Sequence, residues 1–582
     1  MIKKILVPYK IILSFVFLLI FFLGCQSDYH KIQKDVMIPL KDGTKLASNI
    51  FLPDKSGSFP VILVRTPYGK DIEEDEEDNE GGWWADNGYA FVIQDCRGTG
   101  NSEGEWYPGI FEKEDGIDTR EWILQQPWCN GSIGTTGGSY LGFTQFASCT
   151  ESNASLKAMF PYIPAMNMYD DVSFIDGAFS LGTVMGWGLV MANPAEGEGS
   201  RIDEENADWD QIYRTLPLID FDNNVDTTLV WMRDWIVKPL SSRWWDKLRN
   251  SDLNLSCSVP LITVSGWYDV FVQQALDYHQ DAIQRGKENQ YLIVGPWGHG
   301  PNHIPGDREM AENHELDFGD LQIKWFDHWL KGNDVKIDLS PVKIYVMGKN
   351  KWRNENEWPL KRTQYIPYYF HSKGKANTLS GNGIISVKKP GREPTDQFIY
   401  DPGNPVPTLG GAILFYDFGA FDQREIEKRE DVLVYTSAVL EEELEVTGPV
   451  KVILYASSDA RDTDWTAKMV DVYPDGRAFN LCDGVIRARY HKDPLKPELI
   501  KPDKVYKYEI DLWATSNVFL PGHRIRVEIS SSNFPRFDRN PNTGNAFGMD
   551  TELREAEQTV YHNDRYPSHV ILPVIPAASD KQ

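Results

Sequence analysis

The chain has 582 residues, 41% of them hydrophobic and 12% aromatic, enough to bury several cores; this excludes a disordered chain. Its 85 acidic against 59 basic side chains leave a net charge of −26. That excludes a nucleic-acid surface and electrostatic docking on anionic lipid, since both need Lys and Arg against phosphate.

At about 100–200 residues per domain, the length predicts about three domains. Residues 1–25 stand apart: "MIKK" is a basic start, "IILSFVFLLIFFL" an apolar run, and Gly24-Cys25 follows. The order is that of a secretory signal rather than a spanning helix. It resembles a bacterial lipoprotein signal, which implies lipidation at Cys25 and a tether over 26–34. On that reading the protein is exported and anchored facing the periplasm or the cell surface. It would meet the membrane only through its N-terminal lipid.

Over 35–165, "DVMIPL" and "KLASNIFLP" flank a "KDGT" turn, and "FPVILVRTPYG" and "YAFVIQD" read as buried strands. The acidic and then aromatic stretch 71–88 predicts a loop entering a short helix. A helix is expected at 116–126 and another in "YLGFTQFASC". Apolar strands alternating with helices predict a parallel sheet covered on both faces. Residues 166–254, with Trp187, Trp209, Trp231, Trp235, Trp244 and Trp245, read as amphipathic helices forming an inserted cap. The sheet pattern resumes over 255–336 with "VPLITVSGWYD" and "QYLIVGPWGHG", and closes on the helix "LQIKWFDHWLKG". From 337 to 578 the period is two: "PVKIYVMG", "PVKVILYASS", "WTAKMVDVYP", "VYKYEIDLWAT" and "HRIRVEISSS" are short strands between turns. That predicts an all-β sandwich or jelly roll. The fold class expected is therefore α/β, with a helical cap insertion and a C-terminal all-β domain.

Beyond Cys25 the cysteines are Cys96, Cys129, Cys149, Cys257 and Cys482. An odd number without CxxC or Cys/His spacing argues against a disulfide framework or a zinc site, and leaves one or two bridges open in an exported chain.

The chemistry-bearing stretch is "GTTGGSYLGF", which sets Ser139 among small residues ahead of an apolar helix. A nucleophile elbow needs such neighbours because its serine adopts a strained backbone between strand and helix, and the N–H of the next residue faces an oxyanion. Here the spacing is G-x-S-x-x-G, weak taken alone. Order strengthens it: Asp269 follows the strand "LITVSG" and His299 follows "YLIVG", both at the sheet edge where ligands bind. His299 would accept the Ser139 proton while Asp269 holds the imidazole. Asp95 and Arg97 in "DCRGTG" read as an internal ion pair fixing a loop. His303 and His314 read as loop histidines, and Asp170-Asp171 as a solvated pair.

The motifs "RTPYGK", "DCRGTGNSEG", "GGSYLG", "GWYDVF", "GPWGHG", "WFDHWLKG" and "FLPGHRIRVEISSSNFPRFDRN" together resemble the cocaine-esterase-like hydrolases. These are related to X-prolyl dipeptidyl peptidases and α-amino-acid ester hydrolases, and the likeness spans roughly residues 36 to 575. The resemblance implies a Ser139–His299–Asp269 triad and an oxyanion hole of the Tyr68 hydroxyl and the Tyr140 N–H. It implies an α/β-hydrolase domain, a helical cap, a jelly roll and no cofactor. Where α-amino-acid ester hydrolases carry amine-binding acids, two and three places after the triad Asp, this chain has Phe271 and Val272.

The expected activity is acyl transfer from a small ester, amide or short-peptide substrate. The alternatives are an X-prolyl dipeptidyl peptidase at the cell surface and a non-catalytic glycan- or partner-binding lipoprotein.

Overall fold

The computed structural model describes residues 31–71, 80–149, 155–169, 172–192, 208–224, 229–248, 257–335, 337–414 and 417–576. Cys25 and Asp170-Asp171 lie outside them. The first sheet has ten strands. In chain order they are β1 (Lys31–Pro39), β2 (Lys45–Leu52), β3 (Phe59–Thr66), β4 (Ala90–Asp95), β5 (Cys129–Gly138) and β6 (Leu156–Tyr162). After a small cap hairpin of β7 (Phe174–Ile175) and β8 (Ala178–Phe179) come β9 (Leu261–Gly266), β10 (Gln290–Gly295), β11 (Val342–Val346) and β12 (Lys351–Glu355). The spatial order is β1-β2-β4-β3-β5-β6-β9-β10-β11-β12. Strands β4 to β11 run parallel, and antiparallel strands close both edges.

The fully buried β3, β4 and β9 are the continuous apolar runs that a doubly covered parallel sheet requires. On one face lie α1 (Glu80–Asp86) and the helix Phe318–Lys331, packed through Trp84 and Phe326 with ring centroids 5.6 Å apart. On the other lie α2 (Glu112–Leu124), α3 (Tyr140–Ser148) and the helix Val272–Gln284. Helix α2 starts with Glu112, Glu114 and Asp115, acids suited to a helix N-terminus.

One expectation is corrected here. The segment "PVKIYVMG", read as the first strand of the all-β domain, forms β11 and pairs in parallel with β10. Its alternating pattern fits a strand near the sheet edge as well as a sandwich strand, so periodicity could not assign it.

The cap comprises the hairpin, α4 (Leu181–Val190), α5 (Trp209–Tyr213), α6 (Val230–Val237) and two short 3₁₀ turns, Leu218–Asn224 and Arg243–Lys247. We number the last two helices α7 (Val272–Gln284) and α8 (Phe318–Lys331). Trp231, Trp235 and Trp245 are buried in the cap core. The C-terminal domain is a jelly roll of eleven strands from Gln364–His371 to His569–Ile575. All its strand pairings are antiparallel except Gly383–Ser386 against Leu433–Thr436.

The jelly roll is fastened to both other parts. Arg308 donates to Asn517 (2.8 Å) and Asp471 (3.3 Å), and Tyr268 to the carbonyl of Asn480 (3.1 Å). From the cap, the Gly182 N–H donates to Pro535 O (2.7 Å) and the Phe179 N–H to Asp538 (2.8 Å). A disulfide joins Cys149 at the end of α3 to Cys257 just before β9, Cα atoms 5.2 Å apart. This bridge is among those the cysteine count left open. Among the described residues no helix is long and apolar enough to cross a membrane.

Candidate active site

Ser139 stands between β5 and α3 with φ 54° and ψ −121°. A non-glycine residue is rarely held there, and the surroundings enforce it. The Ser139 N–H donates to Tyr162 O (3.1 Å), while the Gly142 and Phe143 N–H groups donate to Ser139 O. The serine side chain accepts no cap hydrogen bond from α3, which leaves the hydroxyl available for other chemistry. The glycines around it answer to close packing: a Cβ at Gly138 would sit 2.3 Å from the Tyr162 ring, and one at Gly142 2.6 Å from Pro164. The N–H of Tyr140, as first helical residue, has no partner within α3 by construction.

Asp269 and His299 follow β9 and β10. The Trp267 N–H donates to Gly295 O and the Tyr268 N–H to Trp297 O, both at 2.9 Å, so the two loops are laced together. Asp269 is fully buried, and its Oδ1 lies 2.8 Å from His299 Nδ1. The Ser265 hydroxyl (2.7 Å) and the Phe271 N–H (3.2 Å) also donate to its carboxylate. Three donors satisfy and orient a charge that would be costly to bury alone. Phe271 sets its ring edge against the imidazole, centroids 5.2 Å apart. The structure thus brings Asp269 and His299 into contact and sets Ser139 on the same sheet edge, β5 being separated from β9 by β6.

Tyr68 follows β3 on that edge and accepts a hydrogen bond from the Trp187 indole N–H (3.3 Å). Its loop is anchored by Asp95, which accepts from the N–H of Lys70 (2.6 Å) and of Asn101 (3.0 Å) and lies 3.7 Å from Lys70 Nζ. Burial pushes the Asp95 carboxyl up to about 6. The Asp95–Arg97 pair read from sequence does not form. Arg97 instead binds Asp115 (2.6 Å) and Asp42 (2.8 Å), while the Asp95 carboxylate is taken up by Lys70 and Asn101. His303 is exposed and His314 half-buried in a short turn.

Tyr140 is buried. Its hydroxyl donates to Glu112 and accepts from the Gly109 N–H (2.9 Å), and its ring stacks on Trp187, centroids 5.6 Å apart. Sequence reasoning missed Glu112 because it fell ahead of the helix expected at 116–126, where an acid reads as solvated; the helix in fact starts at Glu112. Burial pushes its carboxyl up to about 7 against the lowering effect of the Tyr140 hydrogen bond. Separately, a cavity of about 430 Å³ lies where cap and jelly roll meet, lined by Leu181, Ile236, Phe534 and Arg539 among others. None of Ser139, Asp269 or His299 is among its described walls.

Residues 42–301 match the X-Pro dipeptidyl-peptidase (S15 family) model, and residues 333–571 match the X-Pro dipeptidyl-peptidase C-terminal non-catalytic domain. Cocaine esterase of Rhodococcus sp. (strain MB1 Bresler) is 38% identical, the alignment covering 94% of this chain and 99% of the relative. Among solved structures, an α-amino acid ester hydrolase superposes with a TM-score of 0.80 at 25% identity, over 95% of this chain and 98% of its own. An aminopeptidase from a marine sediment Thaumarchaeota archaeon gives 0.81 at 26% identity, over 94% and 97%. Matched in both halves and aligned nearly end to end with an esterase, the chain belongs to the serine hydrolase family that unites cocaine esterase with the X-Pro dipeptidyl-peptidases.

Proposed function

We propose that this serine hydrolase cleaves carboxylic esters of small apolar acyl groups through Ser139, His299 and Asp269. Ser139 Oγ attacks the carbonyl carbon as its proton passes to His299, and the negative charge on the former carbonyl oxygen meets the Tyr68 hydroxyl and the Tyr140 N–H. Collapse breaks the ester bond, and His299 returns the proton to the leaving alkoxide. Water, activated by the same imidazole, then releases the acid and restores Ser139. The observation that carries this reading is the buried Asp269–His299 hydrogen bond on the sheet edge that bears Ser139 at φ 54°.

The likeness to cocaine esterase supports ester over peptide. So do Phe271 and Val272, buried apolar side chains that offer no carboxylate to a substrate ammonium. The aminopeptidase neighbour and the name of the family favour a second reading, dipeptidyl release after proline.

The test is the initial rate on p-nitrophenyl acetate and butyrate, phenylglycine methyl ester and Ala-Pro-p-nitroanilide, for wild type and Ser139→Ala. Simple esters are expected to react, and the rate to fall by about 10³-fold or more in the variant. A marked preference for Ala-Pro would favour the peptidase, and full activity in Ser139→Ala would remove the serine from the mechanism.

We also propose export as a lipoprotein lipidated at Cys25. The basic, apolar and Gly-Cys order of the N-terminus supports it, as does the Cys149–Cys257 disulfide, a bond that persists in oxidising compartments. Labelled palmitate should enter the wild-type chain and not Cys25→Ser; equal labelling would overturn the assignment.

A further inference from the structure

We propose that Trp187 is a positioning residue for the oxyanion hole, its indole N–H holding the Tyr68 oxygen so that the phenolic proton is directed at the substrate; this rests on the oxyanion role given to Tyr68 above. A phenol has one proton to donate and lone pairs with which to accept, whereas an indole nitrogen can only donate. The 3.3 Å contact between them therefore has one polarity: Trp187 gives and Tyr68 receives. Any neighbour able to accept, such as a serine, a glutamine or a water, could draw the Tyr68 proton away from the reacting carbonyl. Trp187 cannot. A hydrogen bond received at the oxygen also polarises the O–H, making it a better donor to a developing negative charge.

Trp187 is itself held by its surroundings. It stands on α4, whose first turn is tied to the jelly roll through the Gly182 N–H and Pro535 O (2.7 Å). Its ring lies nearly parallel to that of Tyr140, at 22° and 5.6 Å, and packs against Trp231 at 5.5 Å. Tyr140 is fixed in turn by Glu112 and the Gly109 N–H. Both proposed oxyanion donors, the Tyr68 hydroxyl and the Tyr140 N–H, thus belong to residues that touch one cap tryptophan. Neither the serine motif nor the order of the triad residues contains it.

The experiment is a double-mutant cycle on p-nitrophenyl butyrate in the full-length enzyme, with wild type, Trp187→Phe, Tyr68→Phe and the double variant. Phenylalanine keeps an aromatic ring for Tyr140 to stack on and removes the donor. Tyr68→Phe is expected to lower kcat about 10²-fold. Trp187→Phe is expected to lower kcat about tenfold with KM within about twofold, and the double variant to be no slower than Tyr68→Phe. If Trp187→Phe costs the same factor with and without the Tyr68 hydroxyl, Trp187 acts by packing and the proposal is overturned while the role of Tyr68 stands. A Trp187→Phe enzyme with wild-type kcat overturns it equally. If Tyr68→Phe alone keeps wild-type kcat, the oxyanion assignment fails and the proposal falls with it.

Discussion

A single buried acid, Glu112, makes this protein sensitive to pH at a point the triad does not touch. Its folded value of about 7 lies above the ordinary 4.5, so the folded chain keeps a proton that the unfolded chain has lost. A group raised in this way favours folding fully below about pH 4.5 and loses that contribution as pH rises towards 7. Glu112→Gln removes the titration. Its unfolding free energy should fall less steeply than that of wild type across this window, by on the order of 3 kcal/mol. Denaturant titrations at several pH values measure the slope, and identical slopes would show that Glu112 does not titrate there. At the neighbouring turn, Gly138→Ala would drive a methyl group into the Tyr162 ring and displace the Ser139 backbone. Loss of kcat with the fold retained is the expected result.

The elements differ in how far the sequence revealed them. The proposed triad could be read because Asp269 and His299 each follow a recognisable apolar strand, Ser139 sits in a glycine-rich turn before an apolar helix, and the chain order Ser, Asp, His allows few accidents. The Tyr68–Trp187 and Tyr140–Glu112 contacts could not, since they join residues on separate elements whose approach depends on how the cap folds back. Strand β11 completes the first sheet and not that of the β domain, a pairing that an alternating pattern does not reveal. The Cys149–Cys257 pair was likewise hidden by its separation of 108 residues. That bridge ties the C-terminal end of α3 to the strand leading to Asp269. On the chain-entropy argument a ring of this length contributes ~4–5 kcal/mol. Cys149→Ser/Cys257→Ser should unfold at lower denaturant than wild type, and reductant should bring wild type down to the variant. No difference between them would mean the bond is absent or idle.

Across the whole molecule, the jelly roll holds the loop that follows His299. Arg308 is buried against Asp471, which also binds His523 Nδ1 at 2.8 Å. Removing one partner of a buried pair typically costs 3–5 kcal/mol, because the other charge is left without compensation. Arg308→Ala is therefore expected to uncouple the domains. In a denaturant titration, activity should disappear before the far-ultraviolet signal of the β domain does. Coincident losses, as a single cooperative unit would give, would argue that this clamp carries little of the coupling.

The disulfide has a topological consequence as well. Together with the backbone between its two cysteines it closes a covalent ring, and the cap helices α4, α5 and α6 all lie inside that ring. One proteolytic cut anywhere between residues 150 and 256 would open the ring without releasing a fragment. Such a nicked molecule would keep its full mass on a non-reducing gel and separate into two pieces once reduced. The cap could thus be cut and still remain tethered to both halves of the sheet it is inserted into.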